Sequence, residues 1–172
     1  IMPLTKLNAT LGLTGTLPAV SGANLTGISA GKILQIQQTY HDQGSSNVGT
    51  NSTSFVDITG MTDTITASAT SSKIFGIVVL NGHAVQNTAI NSICTMQRGI
   101  GGSFTDMGSG NYGLAHNYHT TFGTTCFTFL DSPNSTAELT YKLQAKCDNS
   151  SYTAYIMRGN SRNSITLFEI EG

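Results

Sequence analysis

The chain has 172 residues, of which eight are basic and nine acidic, so that its formal net charge is −1. Hydrophobic residues make up 38% of the sequence, and charged residues make up 10%. The hydrophobic share is large enough to form a folded core. The charge balance excludes a basic field that would attract nucleic acid. No apolar run approaches the roughly 20 residues of a membrane helix, and the N-terminus lacks a signal-peptide pattern, so we expect no membrane insertion.

The first thirty residues have a pattern of their own. Lys6 is their only charged residue, and glycine interrupts the apolar positions too often for one copy to bury them. Burial therefore requires other copies of the chain. We predict that residues 1–30 are an extended trimerisation and attachment stalk and that residues 31–172 are a head. The apolar positions of the predicted stalk are Leu11, Leu13, Leu17, Val20, Leu25 and Ile28.

From Lys32 onward the apolar residues recur with a period of two or in short runs, which is typical of β-strands. A first strand is predicted from Ile33, and a polar turn covers 43–52. Further strands are predicted at 54–58, 62–67, 73–80, 91–100, 120–130, 138–147, 152–157 and 164–170. The most apolar of these, 73–80, is expected to be a central strand covered on both faces.

The segment 138–147 shows the clearest alternation. Apolar side chains at 139, 141, 143 and 145 alternate with polar side chains, which predicts one buried face and one solvated face. Glycines at 99–102 predict a hairpin turn. Eight to ten short strands of this kind predict an all-β protein, namely an antiparallel β-sandwich, and we favour a jelly roll.

Several sequence motifs also resemble those of a known family. The segment 17–27 resembles a motif that precedes the terminal domain in tail-fibre and fibre-like structural proteins of tailed bacteriophages; its sequence is Leu-Pro-Ala-Val-Ser-Gly-Ala-Asn-Leu-Thr-Gly. The resemblance extends more loosely through 31–39, 52–60 and 164–172. It implies a homotrimeric virion appendage, assembled in the host cytoplasm and exposed on the particle surface.

The end of the chain resembles a second group of proteins in architecture alone. The segment Asp131-Ser-Pro-Asn-Ser-Thr is followed by a strand that contains Tyr141 and then by a last strand at the C-terminus. This order of elements is similar to that in the trimeric jelly-roll heads of the tumour-necrosis-factor and complement type. This similarity implies a small trimeric all-β head.

The three cysteines, Cys94, Cys126 and Cys147, are odd in number and lie in strand-like apolar runs. This pattern predicts buried free thiols in a reducing compartment rather than a disulfide framework.

No sequence motif indicates catalysis. The chain has no Gly-x-Ser-x-Gly elbow, no Walker-type phosphate loop and no His-Glu-x-x-His, so we predict that it is not an enzyme and needs no cofactor. His116-Asn-Tyr-His119 is the best candidate for a metal site. Two histidines three residues apart on a strand point to opposite faces, so they cannot bind one metal ion together unless the segment is a loop. We therefore interpret them as polar loop residues that bind no metal ion.

The longest glycine-rich connection, 101–119, is expected to carry the binding tip, because recognition concentrates in long loops on a rigid scaffold. Tyrosine, asparagine and arginine suit saccharide or protein surfaces. The candidate receptor contacts are Asn111, Tyr112, His116, Asn117, Tyr118, His119, Arg158, Asn160 and Arg162.

We therefore expect a trimeric virion fibre or fibre-tip protein that adsorbs to a host-surface glycan or protein, with the N-terminal segment bound to other virion structural proteins. The alternative is a capsid or tail decoration protein that stabilises the particle without binding a receptor. A secreted complement-like head is a third possibility, against which the odd cysteine count and the missing signal peptide argue.

Overall fold

The computed structural model describes residues 32–42, 44–87, 90–108 and 110–172. The predicted stalk, with Leu11, Leu13, Leu17, Val20, Leu25 and Ile28, lies outside the described residues. The described strands are β1 (Ile33–Asp42), β2 (Val48–Thr50), β3 (Val56–Thr66), β4 (Lys73–Val85), β5 (Ser92–Ile100), β6 (Ser103–Asp106), β7 (Ala115–Asn117), β8 (Gly123–Asp131), β9 (Glu138–Cys147), β10 (Ala154–Met157) and β11 (Arg162–Ile170). A short 3-10 helix, Gly110–Tyr112, precedes β7. No helix in these ranges has the length and hydropathy to cross a bilayer.

The strands form two antiparallel sheets that pack as a sandwich. One sheet has β1, β11, β4 and β8 side by side, and β10 and β2 continue from the second half of β4. The other has β3, β9 and β5, with β6 and β7 both paired to β5. Because successive long strands change sheet, the order is that of a jelly roll. The predicted all-β antiparallel sandwich is confirmed.

The core lies between the inner faces of the two sheets. The alternation predicted for β9 is confirmed, since Leu139, Tyr141, Leu143 and Ala145 are fully buried. The Phe129 ring stacks on Tyr141 with 5.3 Å between ring centroids. Gly76 is required opposite this pair, because a side chain there would overlap the Phe129 ring. The Tyr141 hydroxyl donates to Asp131 at 2.7 Å, so this contact also joins the sheets.

The expectation that 73–80 is covered on both faces is wrong. The strand is central, with β11 and β8 as its neighbours, and its inward residues Ile74, Val78 and Leu80 are fully buried. The outward residues of the same strand are only half-buried. The physical reason is that a two-layer sandwich supplies one facing sheet, and no other described element packs on the outer side.

We call the outer surface of β1, β11, β4 and β8 the apolar face. Its residues alternate with the buried ones along each strand, and several of them are large and exposed: Leu130 at 60%, Ile33 at 58%, and Ile36 and Tyr40 at 55% each. Half-buried rings of Phe75 and Phe168 lie 6.0 Å apart at its centre. The face also includes apolar Ile77, Val79, Cys126 and Ile170 and polar Gln38, Thr128, Ser164 and Thr166.

Three predicted boundaries differ from the structure. The predicted turn at 43–52 contains the short strand β2, and the two strands predicted at 54–58 and 62–67 are one strand, β3. The register of β3 on β9 shifts between Asp57 and Thr62, so a bulge interrupts the pairing without ending the strand. The connection 101–119 contains β6 and β7, which pair with the open side of β5.

The hairpin predicted at 99–102 is confirmed. Ile100 pairs with Ser103, which leaves a two-residue turn of Gly101 and Gly102 with φ of 57° and 87°. Tight hairpins of this kind need positive φ at both positions, which glycine adopts without strain.

The prediction of buried free thiols holds for two cysteines and is wrong for the third. All three are free, and Cys94 and Cys147 are buried, but Cys126 is exposed. Cys126 pairs with the outward residue Val79 and therefore points to the apolar face, whereas its strand neighbours Phe127 and Phe129 point inward and are buried.

Glu169 forms a buried polar junction at one end of the sandwich. The residue is 1% exposed, and its carboxylate accepts hydrogen bonds from Gln35 Nε2 at 2.7 Å, from Ser68 N and Oγ at 2.6 Å each, and from Ser72 Oγ at 2.7 Å. Burial by itself raises the pKa of this carboxyl, but the hydrogen bonds from Ser68, Gln35 and Ser72 outweigh it and lower the pKa to about 2. The junction joins β11 to β1 and to the turn before β4.

Replacing this carboxylate is expected to destabilise the fold. The ionised carboxylate is more stable in the folded state than in the unfolded state. The stabilisation of the fold that results is complete above the ordinary pKa of 4.5 and is lost as the pH falls from 4.5 towards 2. We expect Glu169→Gln to lower the free energy of unfolding at pH 7 by about 2 kcal/mol, because hydrogen bonds to a charged group are lost, with a difference that shrinks below pH 4.5. Urea unfolding across pH 2–7 measures it. Glu171→Gln, at an exposed neighbouring position, is the control, and equal losses in both variants would contradict the assignment.

Candidate functional site

An open cavity lies where the chain crosses from one sheet to the other. β7 ends at Asn117 on the edge of β5, and β8 begins at Gly123 beside β4, so the connection must span one end of the sandwich. The cavity has a volume of about 560 Å³. A single uninterrupted stretch lines it: His116, Asn117, Tyr118, His119, Thr120, Thr121, Phe122, Gly123, Thr124 and Thr125.

Asn117 holds the connection in place. Its Nδ2 donates to the carbonyl of His83 at 2.8 Å, and its Oδ1 accepts from the backbone N–H of His119 at 2.7 Å. The backbone N–H of Val85 donates to the carbonyl of His119 at 2.9 Å. Both polar atoms of the Asn117 amide are thus occupied within the protein, so Asn117 acts as a positioning residue for the wall of the cavity.

Aromatic rings surround the cavity. Tyr118 lies against His119 with ring centroids 4.4 Å apart, and Tyr112 lies against His116 at 5.3 Å. Both tyrosines are more than half exposed, at 52% and 60%. Phe122 contacts Tyr155 of β10 at 5.5 Å. These pairs hold the rings in place while leaving ring surface open to a ligand.

Arg158 lies beside Phe122, with its guanidinium carbon 5.3 Å from the ring centroid. The side chain is exposed. Within the described ranges its guanidinium has no carboxylate or other hydrogen-bond acceptor. By contrast, Arg98 pairs with Asp131, and Arg162 pairs with Asp42. Among the described residues, Arg158 is therefore a cation without a counter-ion, and it contacts the lining of the cavity through Phe122.

A buried polar cluster supports the floor of the cavity. His83 is 0% exposed, and its ring contacts Thr125 Oγ1 at 2.9 Å through Nδ1 and Ser92 Oγ at 2.8 Å through Nε2. Burial lowers the pKa of His83 to about 4, so the ring is neutral at pH 7. Burial also raises the pKa of the neighbouring Cys94 thiol to about 12.

The hydroxyl–imidazole pair of Ser92 and His83 has the spacing of a nucleophile and its base. Both side chains are fully buried, so no substrate reaches the hydroxyl in this conformation, and the cluster joins β4, β5 and β8. That the chain is not an enzyme stays a prediction.

The candidate receptor contacts fall into two groups and one outlier. His116, Asn117, Tyr118 and His119 line the cavity, and Tyr112 and Arg158 contact its lining. Asn160 and Arg162 line a second, smaller cavity of about 300 Å³ together with Asp42 and Gly44. Asn111 is exposed on the 3-10 helix, outside both linings. The role of all these residues as receptor contacts stays a prediction.

The rings of the two histidines at 116 and 119 each lie tilted against a tyrosine ring. Among the described residues no group of three or more His, Cys, Asp or Glu side chains is arranged to hold a metal ion.

Sequence reasoning missed Phe122 and His83. Phe122 falls within the strand predicted at 120–130, but β8 begins at Gly123, and Phe122 lies in the connection before it, where its ring contacts Tyr155. Nothing in the sequence around His83 distinguishes a buried neutral histidine from an exposed one.

No protein-family model matches the chain, and no curated protein is significantly similar to it. Among solved structures, the chain is similar to one titled "Structure of infectious bursal disease virus Gt strain", at 12% identity over 93% of this chain and 36% of that chain, with a TM-score of 0.30. The corresponding Gx-strain structure matches at 14% identity over 90% of this chain and 35% of that one, with a TM-score of 0.34. The chain thus spans about a third of the length of the viral chains it matches. Superposition this loose carries no argument about function.

The buried histidine predicts a pH dependence of stability. Because its pKa falls from 6.5 to about 4 on folding, the unfolded chain binds the proton more readily, and stability is lost as the pH drops from 6.5 towards 4. We expect His83 to account for a loss of about 3 kcal/mol over this range.

Urea unfolding at pH 7, 5.5 and 4 measures this loss. His83→Gln keeps a side chain that hydrogen-bonds to hydroxyl groups and is expected to be less stable at pH 7 but to have a flatter pH profile. His119→Gln, on the exposed loop, is the control and should keep the wild-type slope. A wild-type slope in His83→Gln would refute the assignment.

Proposed function

We propose that this protein is the head of a trimeric virion fibre or fibre tip that attaches the particle to a glycan or protein on the host surface. The observation that carries the proposal is the cavity at the β7–β8 connection. The exposed rings of Tyr112 and Tyr118 are held by neighbouring histidines, and Asn117 fixes the wall. Arg158, which has no counter-ion among the described residues, lies against Phe122 of the lining. Such a combination on a rigid β-scaffold is typical of recognition surfaces.

Self-association is supported by the apolar face. Exposed apolar patches of this extent mark interaction surfaces. Among the described residues the middle of the face carries no charge, since Lys73 lies at one end and the Asp42–Arg162 pair lies at the other. An uncharged face can meet a neighbouring copy without repulsion between like charges, and in a trimer the face of each copy lies against a different surface of the next copy. We therefore assign a second copy of this chain as its occupant. β1 follows directly on the predicted stalk, so copies joined by the stalk would bring their β1 strands together.

Three heads on one fibre would act by avidity. Each contact can be weak, because the second and third contacts form at the high effective concentration that the assembly imposes. The predicted stalk would attach the head to other virion proteins, and the protein would be assembled in the host cytoplasm and exposed on the particle.

A decoration protein of the capsid or tail is the second candidate. The same apolar face favours it, because the face could be buried against neighbouring virion proteins instead of a second copy. The two candidates differ in solution: a fibre head associates with itself and binds host cells, whereas a decoration protein leaves its face open until it meets the particle.

Cys126 allows the apolar face to be probed directly, since it is the exposed cysteine and Cys94 and Cys147 are buried. We expect the full chain to sediment as a trimer and Cys126 to react slowly with a maleimide. Leu130→Asp should weaken association by roughly a hundredfold or more, because association would bury an unpaired carboxylate. In that variant Cys126 should react as a free exposed thiol.

Thr105→Asp, at an exposed position of β6 in the other sheet, is the matched control and should remain trimeric with a protected Cys126. A wild-type chain that is monomeric and reacts rapidly at Cys126 would overturn self-association through this face.

The receptor-binding part is tested with the labelled full chain. Adsorption should be saturable on host cells, and unlabelled chain should compete with virion infection. A chain that binds neither cells nor glycans, while its loss destabilises the particle, would favour the decoration protein.

A further inference from the structure

We propose that the cavity at the β7–β8 connection takes a saccharide that carries a carboxylate, and that Arg158 binds this carboxylate. The inference rests on the proposed receptor-binding function and names the class of glycan that the site would select. It is argued from the charge at the rim, the charge of the lining and the shape of the ring surfaces.

The first step is the state of Arg158. The carbon of its guanidinium lies 5.3 Å from the centroid of the Phe122 ring, and this contact holds the group beside the lining of the cavity. In the part of the chain that the structure describes, no acceptor uses the N–H donors of this group. A guanidinium fork held in this way matches a carboxylate with two parallel hydrogen bonds.

The second step is the charge of the cavity wall. The lining residues 116–125 include two histidines and no Asp or Glu, so a negatively charged ligand meets no opposing carboxylate there. The site also offers one arginine rather than a cluster. A single fork suits one carboxylate, whereas a polyphosphate or nucleic acid would need several cations along its backbone.

The third step is the rest of the ligand. The rings of Tyr118 and Phe122 offer apolar surface that can cover the C–H face of a sugar ring. Thr120 and Thr121 are exposed between these rings, and their hydroxyls can exchange hydrogen bonds with sugar hydroxyls. A volume of about 560 Å³ falls within the usual range for small-ligand sites. Ring surface, hydroxyls and one cation together fit an acidic monosaccharide unit within a glycan.

The test uses two ligand pairs whose members differ only in their carboxylates. The first pair is trigalacturonate and its carboxyl-reduced form, and the second is 3′-sialyllactose and its carboxyl-reduced form. Binding to the full chain is measured by titration calorimetry and by saturation-transfer NMR. We expect at least one carboxylated member to bind about tenfold or more tightly than its neutral partner. This preference should weaken as salt is raised.

Arg158→Gln removes the charge and keeps a polar side chain, and we expect it to lower affinity for the carboxylated sugar to that of the neutral sugar. Lys142→Gln is the matched control, because it removes a cation that is already paired with Asp57 and lies over the Phe104 ring on the other sheet. It should keep the preference. Phe122→Leu should reduce the preference while leaving the charge of Arg158 in place. Circular dichroism confirms that each variant is folded.

The outcomes separate this inference from the proposed function. Equal binding of both members of each pair, or a preference unchanged in Arg158→Gln, overturns the carboxylate assignment and leaves glycan attachment standing. Absence of saccharide binding together with saturable adsorption to protein on host cells overturns the inference alone. Absence of all binding overturns both.

Discussion

The sandwich is organised around a carboxylate that is buried without a counter-ion among the residues that the structure describes. An ionised carboxyl in this environment is costly unless hydrogen bonds replace its water. Glu169 receives them from the edge strand β1 through Gln35 and from the turn before β4 through Ser68 and Ser72. Satisfying this one group therefore fixes the position of β1 on β11 and the entry of the chain into β4. Because β1 supplies much of the exposed apolar surface, the same junction positions the surface that we assign to self-association.

Much of the fold could be predicted because alternation along a strand is a local property. The pattern of β9 defines its buried and solvated sides without reference to any other strand, and the glycines at 101 and 102 define a turn by their backbone freedom alone. The coverage of β4 could not be predicted in this way. Its outward residues are as apolar as its inward ones, so the sequence shows a need for burial but not which partner provides it. The exposure of Cys126 could not be predicted for the same reason, because Cys126 lies on this outward side of the sheet.

The candidate site was predictable only in part. Tyrosine, histidine and asparagine near 112–119 could be recognised as contact chemistry from their types. The grouping of these residues with Arg158 could not, because it arises where β7 and β10 reach the same end of the sandwich through separate pairings with β5 and β4. His83 illustrates a further limit. Its neutrality follows from burial between Thr125 and Ser92, which is a property of the packed sheets and not of its sequence neighbours.

The cavity is encoded by one continuous stretch of about ten codons, bounded by residues that belong to the framework. Exchange of the interior of that stretch would alter which ligand is accepted while leaving both sheets, Asn117 and the buried histidine cluster intact. With the receptor-binding role proposed above, a lineage of such proteins would change host through recombination or mutation confined to this short segment. Diversity between related chains should then concentrate at 118–122, whereas Asn117, His83 and Glu169 should vary little.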